Sequence, residues 1–128
     1  MRVLHIDDDD ADLLLTAKLI AAEGGADVDV VPASGLGAAL ELLAEQPMDV
    51  ILLDAKLPDA AGLEDAVARL RLACSTPIVV FTSTPDAVRA YHERAIWKRL
   101  SLLSKDRCHN ELDGGAALLA ALIEACER

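Results

Sequence analysis

Aromatic residues are almost missing from this chain of 128 residues, which has one Trp, one Tyr and one Phe. Any core must therefore be built from Leu, Val, Ile and Ala. With 53% of residues hydrophobic there are enough of these to bury, which argues against disorder. Positive charge is scarce as well. Twelve Lys and Arg face 22 Asp and Glu, a net charge of −10, and such a balance disfavours direct contact with nucleic-acid phosphates. The three cysteines, Cys74, Cys108 and Cys126, are odd in number and widely spaced. That excludes a disulfide framework and a metal knuckle, and reads as free thiols in a reducing compartment. No apolar run approaches the ~18 residues of a membrane span, and the first residues meet acid at Asp7 without an apolar leader core. A cytoplasmic protein without a membrane segment is the expectation.

What the sequence does have is alternation. Short β-branched apolar runs at Val3–Ile6, Ala26–Val31, Val50–Leu53, Pro77–Phe81 and Leu100–Leu103 read as five buried strands. Between and after them lie helical stretches. The first spans about Ala11–Glu23, capped by Asp9 or Asp10, with Leu13, Leu14, Ala17 and Ala21 as its apolar stripe, and Gly24-Gly25 ends it. The second is capped by Ser34 and ends near Gln46, and the third covers about Leu63–Ala73. The fourth opens at Pro85 and reaches about Ile96; the last runs from about Asn110 to Cys126. Five strand–helix alternations with no linker or repeat predict one domain over residues 1–128. The fold class expected is α/β, a doubly wound, flavodoxin-like parallel sheet flanked by five helices.

In such sheets ligands bind beyond the carboxyl ends of the strands. The polar residues fall there: Asp7 and Asp8 after strand one, Asp54 after strand three, Thr82 after strand four and Lys105 after strand five. With strand order 2-1-3-4-5 all five converge on one crevice. Three carboxylates in one small site repel each other and call for a cation; an all-oxygen set suits Mg²⁺. Lys105 would balance the remaining charge, and the Thr82 hydroxyl would donate to an oxygen of a bound phosphoryl group. Taken singly, each residue has a plainer reading. Asp7–Asp10 alone would be a solvated helix start, Asp54 a turn residue and Lys105 a surface lysine. The acidic run lacks the Gly and distal Glu of a calcium loop.

Four segments carry a family resemblance: Val3-Leu4-His5-Ile6-Asp7-Asp8-Asp9, the stretch Met48–Leu63 around Leu53-Asp54-Ala55-Lys56-Leu57-Pro58, Pro77-Ile78-Val79-Val80-Phe81-Thr82, and Leu102-Leu103-Ser104-Lys105. In this order and spacing they resemble the receiver domains of two-component response regulators, the CheY-like superfamily, over nearly the whole chain. The resemblance implies that Asp54 accepts a phosphoryl group from a sensor histidine kinase. It implies Mg²⁺ held by Asp8 directly, Asp7 through water, Asp54 and the backbone carbonyl of Lys56. Lys56 and Thr84 occupy the positions that modulate loss of the phosphoryl group. The chain departs from the family pattern at Leu102, where an aromatic is usual, at Ile96-Trp97-Lys98-Arg99-Leu100 before strand five, and at Asp106, where proline commonly follows the lysine.

With no DNA-binding or catalytic segment after this pattern, the expected output is phosphorylation-dependent binding of a downstream protein. Two other functions compete: a degenerate receiver that only binds partners, and an aspartyl-phosphate phosphatase. The second wants an acid two residues after its nucleophile, where Lys56 stands. A basic stretch with one large aromatic, Arg89, Arg94, Trp97, Lys98 and Arg99, continuing to Arg107, suggests a partner surface; a second copy of the chain would be one occupant, and a solvated face is the plainer reading. His5 reads as a core or strand-end histidine, His92 and His109 as surface residues.

Overall fold

Side chains alternate faces along a strand, and in a sheet covered on both sides each face needs its own apolar set. The strand sequences supply both. A computed structural model of the chain describes residues 1–24, 27–85 and 99–127. It has strands β1 (Arg2–Ile6), β2 (Asp29–Ala33), β3 (Val50–Asp54), β4 (Ile78–Thr82) and β5 (Leu100–Ser104). They form one parallel sheet in the order β2-β1-β3-β4-β5, as expected. Five helices are described: α1 (Asp10–Gly24), α2 (Leu36–Glu45), α3 (Leu63–Ala73), a short α4 (Lys105–Asn110) and α5 (Gly114–Glu127).

Leu4, Ile6, Ile51, Leu53, Ile78 and Val80 face one way and pack on Leu36 and Ala39 of α2 and Val67 and Leu70 of α3. Their neighbours Val3, Val50, Leu52, Val79 and Phe81 face the other way, onto Ile20 of α1, Cys108 of α4 and Leu118 and Leu122 of α5. Burial of each such Leu, Ile or Val contributes roughly 1.5–3 kcal/mol. β1, β3 and β4 lie inside the sheet, and every residue of β3 and β4 is buried. Their carboxyl ends therefore open together, on one rim, from a rigid base.

Four local expectations are corrected. The buried residues of α1 are Thr16 and Ile20, while Leu14 is 58% exposed. Leu, Ile and Ala fill nine of its 15 positions and are spread around the helix, so no single apolar stripe sets its rotation. The cap of α2 is not Ser34: Asp59, from the loop after β3, accepts hydrogen bonds from the backbone N–H groups of Leu36 and Gly37, each at 3.0 Å. The single last helix is two. Ser104 accepts from the Arg107 N–H and starts α4 directly at Lys105, and the chain then turns tightly into α5. At that turn a Cβ on Gly114 would collide with the Cys108 carbonyl. Finally, β2 lies over Asp29–Ala33, later than the predicted Ala26–Val31. The expected helix from Pro85 to Ile96 lies almost wholly outside the described residues.

Candidate functional site

Four of the five strand-end residues meet around one ammonium group or one another. Asp7, just beyond β1, is fully buried, and its Oδ1 accepts from the Asp9 N–H at 3.0 Å. Asp8 next to it is exposed. Asp54, the last residue of β3, is only 8% exposed and accepts from the Lys56 N–H at 3.3 Å. One carboxylate oxygen each from Asp7, Asp8 and Asp54 lie within 4.8 Å of one another. Lys105, leaving β5 at the start of α4, reaches in with Nζ 3.0 Å from Asp7 Oδ2 and 3.3 Å from Asp54 Oδ1. Thr82, at the end of β4, is buried; its Oγ1 accepts from the Thr84 N–H at 3.0 Å and lies 3.3 Å from Thr84 Oγ1. Lys56 and Thr84 are both exposed at the rim.

Charge at this rim is unevenly shared. Burial pushes the Asp54 carboxyl up to about 6, and the charge on Asp7 adds to the rise; the Lys105 ammonium and the Lys56 N–H oppose it. Burial alone would lower Lys105, but its hydrogen bond to Asp7, the charge of Asp54 and its hydrogen bond to Asp12 together hold it well above the ordinary lysine value. Lys105 is thus a fixed cation. Beneath the carboxylates lies His5, fully buried, with neither ring nitrogen hydrogen-bonded to any of the described residues. Its Nε2 is 3.8 Å from Asp7 Oδ2. Burial first, and then the charge of Lys105, lower its pKa to about 4, so the cation beside Asp7 is Lys105 and His5 is neutral.

The donor set fits a hard cation. It is all oxygen, two carboxylates are buried, and exposed Asp8 leaves a side open for retained water, which is the pattern Mg²⁺ takes and soft metals do not. Two residues near the site are not placed there by the sequence. Asp12, in the first turn of α1, places Oδ2 3.1 Å from Lys105 Nζ. His109, expected at the surface, instead packs edge-on against the Phe81 ring at 5.3 Å between centroids, with Nε2 3.3 Å from Thr16 Oγ1. It is drawn inward because α4 starts immediately at β5. Of the basic stretch, Arg89, Arg94, Trp97 and Lys98 lie outside the described residues. Arg99 is exposed, and its guanidinium donates to the Ser75 carbonyl at 3.0 Å. Arg107 pairs with Glu111 and Asp113.

Residues 3–107 match the profile of the response regulator receiver domain. The protein-glutamate methylesterase/protein-glutamine glutaminase 2 of Anaeromyxobacter dehalogenans is 38% identical over 106 residues, covering 83% of this chain and 29% of that protein. The transcriptional regulatory protein KdpE of Mycobacterium tuberculosis is 31% identical over 87 residues, 68% of this chain and 37% of that protein. The chain thus spans about a third of the length of these curated relatives. Among solved structures, the chemotaxis protein CheY4 of Vibrio cholerae superposes with a TM-score of 0.77 at 20% identity, over 97% of each chain, a likeness of fold.

Proposed function

The chain belongs to the response regulator receiver domain family, and from that premise we propose that its Asp54 crevice accepts a phosphoryl group from a histidine kinase in a Mg²⁺-dependent reaction. One observation carries the reading: the Asp54 carboxylate, at the mouth of the crevice, stands 3.3 Å from a fixed ammonium and within 4.8 Å of two further carboxylates. Burial without a counter-charge would leave a neutral, inert acid. Here a carboxyl with a pKa of about 6 is ionised at neutral pH and can act as a nucleophile.

The step is simple in its balance. A carboxylate oxygen of Asp54 bonds to the phosphorus of a phosphohistidine, the P–N bond breaks, and its electron pair leaves on the imidazole. Water later attacks the acyl phosphate and returns the carboxylate and inorganic phosphate. Asp8, Asp54, the Lys56 carbonyl and, through water, Asp7 are the residues that would hold Mg²⁺. An ion held there would supply positive charge to offset that of the transferring phosphoryl oxygens. Lys105 supplies a second, permanent positive charge. The Thr82 hydroxyl, now turned to Thr84, is the donor for a further oxygen, and its movement toward Asp54 would pull on the chain that follows β4. Lys56 and Thr84, exposed at the rim, are placed to affect the access of the hydrolytic water. The output is a change in affinity for a downstream protein or a second copy of the chain, in the cytoplasm, without contact to nucleic acid or membrane. No helix among the described residues is long and apolar enough to cross a membrane.

Incubation with acetyl phosphate and Mg²⁺, followed by intact mass measurement and phosphate release, tests this. One added phosphoryl group that decays slowly is the expected result. Rapid turnover of donor without an adduct would favour a phosphatase. No reaction in wild type would leave a binding module that does not use phosphorylation.

A further inference from the structure

We propose that Asp12 is a positioning residue that restrains Lys105 in the unphosphorylated chain and so sets how fast the crevice takes up a phosphoryl group. This rests on the phosphoacceptor reading above. An ammonium group has three N–H donors, and three carboxylates surround Lys105 Nζ: Asp7 Oδ2 at 3.0 Å, Asp12 Oδ2 at 3.1 Å and Asp54 Oδ1 at 3.3 Å. The oxygens of a phosphoryl group on Asp54 lie beyond the carboxylate itself, so to reach one Lys105 must stretch one of its two hydrogen bonds, to Asp7 or to Asp12.

The two are not equal. Asp7 is fully buried, follows β1 directly and is pinned by the Asp9 N–H; without Lys105 its charge would have no water to turn to. Asp12 has a side chain 28% exposed, on a helix rather than a strand end. Water can replace Lys105 there, so the Asp12 bond is the one that gives way. Its strength is subtracted from what Lys105 offers the incoming phosphoryl group. Asp12 reaches the crevice because α1 turns the line Asp12, Thr16, Ile20, spaced by four, toward the sheet and α4.

The test compares rate constants for labelling by acetyl phosphate, each at saturating Mg²⁺, in four proteins. Asp12→Asn keeps the shape and loses the charge. Asp12→Glu keeps the charge and can still reach Lys105. Asp10→Asn removes the same charge from the same helix turn at an exposed position. Asp12→Asn is expected to label about three- to tenfold faster than wild type, tenfold corresponding to ~1.4 kcal/mol. Asp12→Glu should match wild type, and Asp10→Asn should change the rate less than about twofold, as a screened surface charge does. Equal acceleration by Asp10→Asn and Asp12→Asn would reduce the effect to net charge and overturn the proposal. So would an unchanged or slower Asp12→Asn beside a wild type that labels normally. A wild type that takes up no phosphoryl group would instead overturn the phosphoacceptor reading itself, and this proposal with it.

Discussion

His5 offers the sharpest thermodynamic test of how the crevice is built. It is fully buried with two ring nitrogens unpaired among the described residues, and its pKa falls from near 6.5 to about 4. Above pH 6.5 it is neutral both folded and unfolded. As pH falls toward 4 the unfolded chain takes up a proton that the folded chain refuses, so stability is lost across that window. At 1.36 kcal/mol per pH unit the loss is about 3 kcal/mol. Asp54 works in the opposite sense. Its folded pKa of about 6 lies above the ordinary 3.8, so its contribution is present below 3.8 and is lost as pH rises through 6. Water at the mouth of the crevice trims that share to roughly 1–2 kcal/mol. Wild type should therefore weaken only modestly on acidification. His5→Leu removes the larger, acid-sensitive share and relieves two orphaned polar atoms. Urea unfolding in EDTA at pH 7.0, 5.5 and 4.5 measures the difference. The stability of His5→Leu relative to wild type should grow by about 2–3 kcal/mol from pH 7 to the acid end. Parallel pH curves for the two proteins would refute the neutral, buried His5.

Three other perturbations follow from single contacts. Lys105→Met leaves buried Asp7 without its cation and should cost about 3 kcal/mol at pH 7 in EDTA, part of it restored by Mg²⁺, as read by urea melts with and without the ion. Asp59→Ala removes the carboxylate that accepts from Leu36 and Gly37 and should cost about 1 kcal/mol; backbone bonds hold its pKa below the usual range, so the loss should shrink as acid protonates it. Gly114→Ala drives a methyl group into the Cys108 carbonyl and should lower the melting temperature by several degrees or more, whereas Gly62→Ala, at φ 153°, strains the backbone without any clash.

Strand ends are legible because apolar runs in this chain stop at charge: Ile6 at Asp7, Leu53 at Asp54, and Leu103, one serine later, at Lys105. The sheet order then brings them together without further information. Asp12 was not legible. It follows four consecutive aspartates and looks like more of a solvated helix start, and the rotation that turns it inward has no imprint in a helix apolar on nearly every side. The α2 cap escaped for a different reason. Its acceptor lies 23 residues further on, while a plausible Ser34 stands adjacent. The split between α4 and α5 did leave a trace, Gly114-Gly115, but Asn110 was the more obvious start, and only the close approach of Cys108 shows why glycine is required. His109 is half-buried rather than at the surface because of that same early start of α4.

Everything proposed for the crevice depends on Asp54 carrying the phosphoryl group. Peptide mapping by mass spectrometry of the chain treated with acetyl phosphate and Mg²⁺ tests it most directly, with Asp54→Asn alongside. One modified residue, Asp54, is expected, with labelling that disappears in EDTA and none in Asp54→Asn. Undiminished Mg²⁺-dependent labelling of Asp54→Asn, or a modified residue elsewhere in the chain, would contradict it.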